Sequence, residues 1–321
     1  MNGYIWVITM YAVFLAIVGI IISKRVKGAA DFFVGGRKFG SALLFITLIA
    51  PNIGAGSTVG VAGLGFKAGI SAVWWLLASG IGTLVLAFLV GPAIWRLAKQ
   101  HNFYTLGDYL NFRYNRQFSG LISVMMAIGT IAIFAGQLMG IAWILSAVAG
   151  TSKLTGIVIG AVVVVLYFGA GGLVAAAYVN IIEATVKLIG FIIAVPFVLN
   201  FVGGWSGLET KIAVNLADTA KTANYFSLDG LGMSAIFGFF LMLTPSFFIS
   251  PGLIGKVYGA KNEKTVIIGA CLCGLVMLAF AVIPVFLGMA AAAVVPTLTE
   301  RELALPVVMK ECMPFWASAL A

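Results

Sequence analysis

The sequence predicts an all-α polytopic membrane protein, a bundle of apolar helices threaded repeatedly through a bilayer. Three observations predict it. Of the 321 residues, 62% are hydrophobic and only 9% are charged, too few charges to cover a soluble domain of this size. Apolar runs long enough to cross ~30 Å of hydrocarbon recur along the whole chain. The basic residues gather in alternate connections between those runs, as the positive-inside rule requires.

The first run, 5–22, is read as a retained helix, because it has no basic segment before it and no small-residue cleavage site ahead of Lys24. Further spans are expected at 41–66, 73–95, 118–149, 154–174, 177–202, 231–254 and 265–293, with a ninth starting at Pro314. Residues 1–321 are thus read as a single transmembrane domain of about eight complete helices. It divides into a leading helix and inner loop (1–40), a first five-helix repeat (41–203) and the start of a second (231–321).

With the N-terminus outside, the inner connections hold twelve basic residues: Lys24, Arg25, Lys27, Arg37, Lys38, Arg96, Lys99, Arg113, Arg116, Lys256, Lys261 and Lys264. Against them stand three acids, Asp31, Asp108 and Glu263, whereas the outer connections carry six of each sign. This sets the N-terminus outside. It also accounts for the net charge of +9 without a nucleic-acid partner. The partner implied is the lipid of a bacterial inner or plasma membrane.

Cys271, Cys273 and Cys312 have no surrounding set of metal ligands, and packing accounts for them. His101 is the single histidine, which argues against a zinc site or a histidine-based triad. Glu183 is the one acid expected within the membrane, too little for intramembrane catalysis, so no enzyme is predicted. No catalytic residue and no metal other than a coupling ion is assigned.

Two spans are built badly as helices. "APNIGAGSTVGVAGLGFKAGI" (50–70) holds six glycines and a proline. Gly60, Gly63 and Gly65 suit close helix packing. Pro51 and Gly54 do not, and a break is expected over 50–56. A mid-membrane break is tolerated only where it lines a cavity or binds something, and its carbonyls suit a small cation. "LTPSFFISPGLIG" (243–255) is a second such place, with Pro245, Pro251, Gly252 and Gly255. Each opens a series of helices. Interrupted helices at matching places in two halves point to an inverted-repeat secondary transporter, with solute and ion between the breaks.

The same segments resemble the sodium:solute symporter family. "NIGAGSTVGVAGLGFKAGI" resembles its first core helix, "DFFVGGRKFG" the loop before it, and "YTLGDYLNFRYN" an inner loop. "IGKVYGAKNEKTVIIG", "VIPVFLGMAA" and "LALPVVM" resemble the sixth-helix exit, the seventh helix and the outer loop beyond. The resemblance implies a leucine-transporter-like fold of two inverted five-helix repeats, and a sodium gradient driving solute uptake. It implies sodium held by the carbonyls of Ala50 and Ile53, with further ligands from an eighth core helix. "ECMPFWASALA" resembles the approach to that helix. The second repeat is therefore expected to be incomplete, and the chain alone unable to cycle. Proton coupling, a transporter-like sensor and a non-functional fragment are the alternatives.

Three departures from the family pattern stand out. Where many members carry T-D-x-x-Q, this chain has Val179, Asn180 and Glu183, and a single coupling ion is expected. Glu183 and Lys187 are four apart on one helical face. They are either a neutralising pair or, with Asn180, an inner gate. Positions that contact sugar in the sugar-carrying branch fall on Trp74, Leu243, Ser246, Phe247 and Met277. A pocket of Asn52, Ser57, Trp74, Ser246, Phe247 and Met277 is poor for a hexose and suits a smaller or more apolar solute, such as a carboxylate or amino acid. Asn52 could equally cap the broken helix, and Trp74 could anchor at the interface. Gln137 is placed to hydrogen-bond the unwound backbone, and Tyr167 and Tyr178 are read as interfacial anchors.

Overall fold

The structure, a computed structural model, describes residues 3–24, 26, 28–168 and 172–320, without the side chains of 166–168. Arg25, Lys27, Gly171, Ala321 and the Tyr167 side chain lie outside the described residues.

The spans follow from uninterrupted apolar sequence and end at glycine, proline or a polar cap. Helix α1 (Gly3–Ser23) leads, and the short α2 (Ala29–Val34) follows. α3 (Ser41–Asn52) and α4 (Val61–Ala68) form one interrupted span. α5 (Val73–Val85) and α6 (Gly91–His101) form the next, joined through a wide turn at Leu86–Val90. That turn lies where Pro92 has no N–H to return to the preceding turn. α7 (Leu106–Arg113) is started by Thr105 and Asp108, each bonding the other's backbone N–H. α8 (Arg116–Ala149), α9 (Lys153–Phe168) and α10 (Gly172–Val202) are the next three spans. The connecting helices α11 (Gly204–Leu216) and α12 (Thr219–Tyr225) lead to α13 (Met233–Ile249) and α14 (Pro251–Tyr258). α15 (Glu263–Phe280) and α16 (Val282–Val294) meet at Ala281, where Pro284 leaves the Phe280 carbonyl without its helical donor. α17 (Ala304–Cys312) and α18 (Phe315–Leu320) close the described chain.

By length and composition six helices can cross a bilayer, and α3 and α9 add two shorter apolar segments, among the described residues. Their outer surfaces are greasy: Met10, Leu121, Ile128, Ile131 and Val165 are all exposed, the reverse of a soluble protein and suited to lipid. Several boundaries differ from the sequence reading: the span expected at 73–95 runs on to His101, and the one expected at 154–174 is described to Phe168. α10 starts at Gly172 rather than 177, with Gly172 at φ 55°, a conformation open to glycine. The second interruption narrows to a single residue, Ser250 (φ −58°, ψ 126°), because Pro251 opens α14 at once and Pro245 is absorbed within α13.

Each interrupted span packs on the partner span of the other half. α3 and α4 lie on α15 and α16, and α13 and α14 lie on α5 and α6. This is the reciprocal pairing that two related halves would make. Glycines set the closeness. A Cβ at Gly288 would sit 2.0 Å from the Ala62 carbonyl oxygen, and one at Gly65 2.8 Å from that of Val285. Gly63 is equally tight against Arg301, but Gly60 is not. It sits in the wide turn Gly56–Gly60, its N–H on the Ala55 carbonyl at 2.9 Å.

Cross-links tie the two ends of the bundle. At the basic end Phe39 bridges to Gly259 and Lys261, Trp95 donates to the Ala260 carbonyl (2.9 Å), and Arg37 forks to the carbonyls of Ala98 (3.0 Å) and Phe103 (2.9 Å). His101 packs on Phe112 at 4.3 Å. At the other end Tyr225 donates to the Gly65 carbonyl (2.7 Å), and Trp143 and Lys153 both reach Glu300. The hydrogen bond from Lys153 holds the Glu300 carboxyl below the usual carboxylate range.

The α4–α16 contact leaves no room for a side chain. Gly288→Val should cost about 3 kcal/mol and lower the thermal midpoint in detergent by several degrees. Gly60→Ala should stay within about 1 kcal/mol of wild type.

Candidate functional site

The break between α3 and α4 is where the helix redirects its own hydrogen bonds. Ile53 still donates to the Ile49 carbonyl (2.9 Å) but leaves helical geometry at φ −90°, ψ 65°. In a continuous helix the Gly54 N–H would go to the Ala50 carbonyl. Here it goes to Ser57 Oγ at 3.0 Å. The Ala55 N–H would go to Pro51, and instead goes to Gln137 Oε1 at 2.8 Å. Ser57 Oγ in turn donates to the Asn52 carbonyl at 2.5 Å, and Thr58 Oγ1 to that of Gly54 at 2.9 Å. The freed donors are thus satisfied by side chains, while the Ala50 carbonyl is released from the helical ladder. A Cβ on Gly54 would fall 2.8 Å from the Gln137 amide nitrogen and 3.0 Å from the Pro51 carbonyl oxygen, so a side chain there would push Gln137 from its bond. The unwound-backbone contact expected for Gln137 is present.

The Ala50 carbonyl meets a cation from the chain itself. Lys187 Nζ donates to it at 3.3 Å and lies 3.6 Å from Glu183 Oε2. Both side chains are partly buried. The sequence reading put this pair near the inner end of its span. Because α10 starts at Gly172 and ends at Val202, Lys187 stands at its midpoint, level with the break. Asn180 is buried two turns earlier on the same helix, and Val179 is fully buried. Tyr11 of α1 and Lys256 of α14 lie within electrostatic reach of Glu183. Tyr178 is exposed.

Beside the break, α15 supplies two sulfur atoms. Asn52 Nδ2 donates to Met277 Sδ (3.4 Å) and Cys273 Sγ (3.5 Å), and Thr83 Oγ1 of α5 reaches the same Met277 Sδ (3.5 Å). Asn52, Ser57 and Met277 are therefore brought together. Phe247 packs from α13 against Gly82, one residue from Thr83. Ser246 is turned to its own helix, donating to Leu243 at 2.8 Å. Trp74 is apart: nine positions before Thr83, about 13 Å along α5. There its indole N–H donates to the Leu228 carbonyl (2.7 Å) and its ring faces Phe240 at 5.9 Å. Ile53 is buried at the break itself. Thr83 was not singled out by sequence, and Cys273 was read as packing. Two hydroxyls four apart in "SGIGTLV", Ser79 and Thr83, and a thiol at helical spacing from Met277 were the signals available.

These features define a membrane helix bundle built around an interrupted span, and the family follows. The model of the sodium:solute symporter family matches residues 32–321, and the chain belongs to that family. It is 29% identical over 188 residues to the sodium/pantothenate symporter of Escherichia coli (55% of this chain, 37% of that protein). It is 24% identical over 312 residues to the sodium/pantothenate symporter of Haemophilus influenzae (91% and 60%). It is 28% identical over 217 residues to sodium/glucose cotransporter 1 of Ovis aries (64% and 31%). The chain spans about half the length of the curated relatives it matches. Its fold superposes with a TM-score of 0.81 on a Na+-coupled sialic acid symporter solved in a substrate-bound outward-open state, at 16% identity, over 99% of this chain and 67% of that one.

Gln137→Leu removes the side-chain acceptor of the part-buried Ala55 N–H. We expect a loss of about 1–3 kcal/mol and faster amide exchange at Ala55, read by thermal unfolding and hydrogen exchange. Thr130→Val, on the exposed face of the same helix, should change neither.

Proposed function

We propose that this protein is a sodium-coupled symporter importing a small organic solute by alternating access. The observation that carries this reading is the break at Ile53–Ala55, which releases backbone carbonyls at mid-membrane while side chains satisfy every donor traced above. Sodium occupies the carbonyls of Ala50 and Ile53 in this scheme. The uneven distribution of basic residues supports an N-terminus outside, in a bacterial inner or plasma membrane.

The solute sits beside the break, against Asn52, Ser57, Met277 and Phe247, with Ser246 and Trp74 further along the path. The Asn52 amide, facing only soft sulfur acceptors, is the group best placed to turn to a better one. A wall of Met277 and Phe247 with few hydroxyls favours a small carboxylate or amino acid over a hexose. Asn180, Glu183 and Lys187 form the inner gate.

The test is uptake into vesicles holding the full-length protein, with radiolabelled amino acids, monocarboxylates and hexoses. One of the first two classes should accumulate under an inward sodium gradient and stop when potassium replaces sodium. Accumulation that ignores sodium and follows a proton gradient would contradict sodium coupling. Asn52→Ala should weaken the apparent solute affinity about tenfold, the loss of one hydrogen bond to a charged group.

A further inference from the structure

We infer that the Lys187 ammonium is a tethered competitor for the coupling cation, holding the Ala50 carbonyl until sodium displaces it. This deepens the sodium-symport reading and rests on it.

Lys187 is placed where a lysine is otherwise costly. It lies at the middle of α10, Gly172–Val202, with about 22 Å of helix to either end, farther than its side chain can reach toward headgroups. An ammonium in that position must be held by partners within the bundle. Among the described residues its partners are two: Glu183 Oε2 at 3.6 Å and the Ala50 carbonyl at 3.3 Å. The Glu183 contact alone would make a neutral i,i+4 pair. The Ala50 contact does more, because that oxygen is the one freed when the Gly54 N–H turns to Ser57 Oγ.

A released carbonyl at a helix break is what a sodium ion would use, and here a resident monovalent cation uses it. Sodium on the same oxygen would lie within a few ångströms of the ammonium, and the two like charges would repel. The charge nearby does not relieve this. Lys256 is a second ammonium within electrostatic reach of Glu183, the neighbouring thiol of Cys273 accepts from Asn52, and Tyr11 of α1 is also within electrostatic reach of Glu183. Sodium therefore binds only as Lys187 withdraws toward Glu183. One carboxylate then serves the ammonium while the carbonyls serve the ion. The exchange makes Lys187 a residue that sets cation affinity, not merely half of a neutralising pair.

Sodium titration of the full-length protein in detergent, followed by thermal shift with potassium as control, tests this. Wild type, Lys187→Gln, Lys187→Arg and the double variant Glu183→Gln/Lys187→Gln are compared. Lys187→Gln should bind sodium at least tenfold more tightly than wild type, and Lys187→Arg should not. The double variant should keep a gain, since the competitor is gone. A double variant that falls back to wild-type affinity would show that unpaired Glu183 caused the gain, and overturns the inference. So does an unchanged affinity in Lys187→Gln while wild-type vesicles still take up solute on a sodium gradient. If neither wild type nor any variant responds to sodium, the symport reading fails and takes the inference with it.

Discussion

A helix interrupted inside hydrocarbon must find new partners for its backbone, and the interruption at Ile53–Ala55 organises everything around it. Two N–H groups need acceptors, and two side chains supply them: Ser57 from the next turn and Gln137 from α8. That requirement explains why Gly54 has no side chain, why a lone amide sits in an otherwise apolar helix, and why Ser57 and Thr58 follow the break so closely. The donors are few and are met locally. The Ala50 carbonyl is met by a lysine on α10, one of the spans packed on α3. The asymmetry leaves an acceptor that suits a cation rather than an anion, and the ammonium of Lys187 takes it.

The bundle holds that site by close helix contact. α4 approaches α16 through Gly65 and Gly288, and α5 approaches α13 through Gly82. Lipid-facing residues contribute little to such contacts, since lipid is as apolar as they are. Backbone proximity does the work, and it places α3, α5, α10 and α15 around one point. The pairs Asn52–Met277 and Thr83–Met277 join three of these helices, and Lys187–Ala50 brings in the fourth.

The membrane class and the span order were legible because hydropathy and basic-loop asymmetry act over many residues. The break was legible because proline and glycine act locally. What the sequence hid was register. The sequence reading put Lys187 near one end of its span, but it stands at the midpoint of Gly172–Val202, and the meaning of its charge changes with it. The second break was overestimated, since Pro245 fits inside α13 and only Ser250 leaves helical geometry. Trp74 was grouped with the pocket by resemblance, but its indole is committed to Leu228 at the end of the bundle. Cys273 was read as packing, because nothing in a linear sequence shows that its sulfur faces Asn52 across two spans.

The central claim is that the interrupted helix is where the cation acts. Hydrogen exchange of the full-length protein, followed peptide by peptide in saturating sodium and in matched potassium, tests it most directly. The account predicts slower exchange in sodium over residues 50–60, accompanied by a change in α10 around Lys187. Unchanged exchange at both places, with the sodium response confined to another part of the bundle, would contradict it.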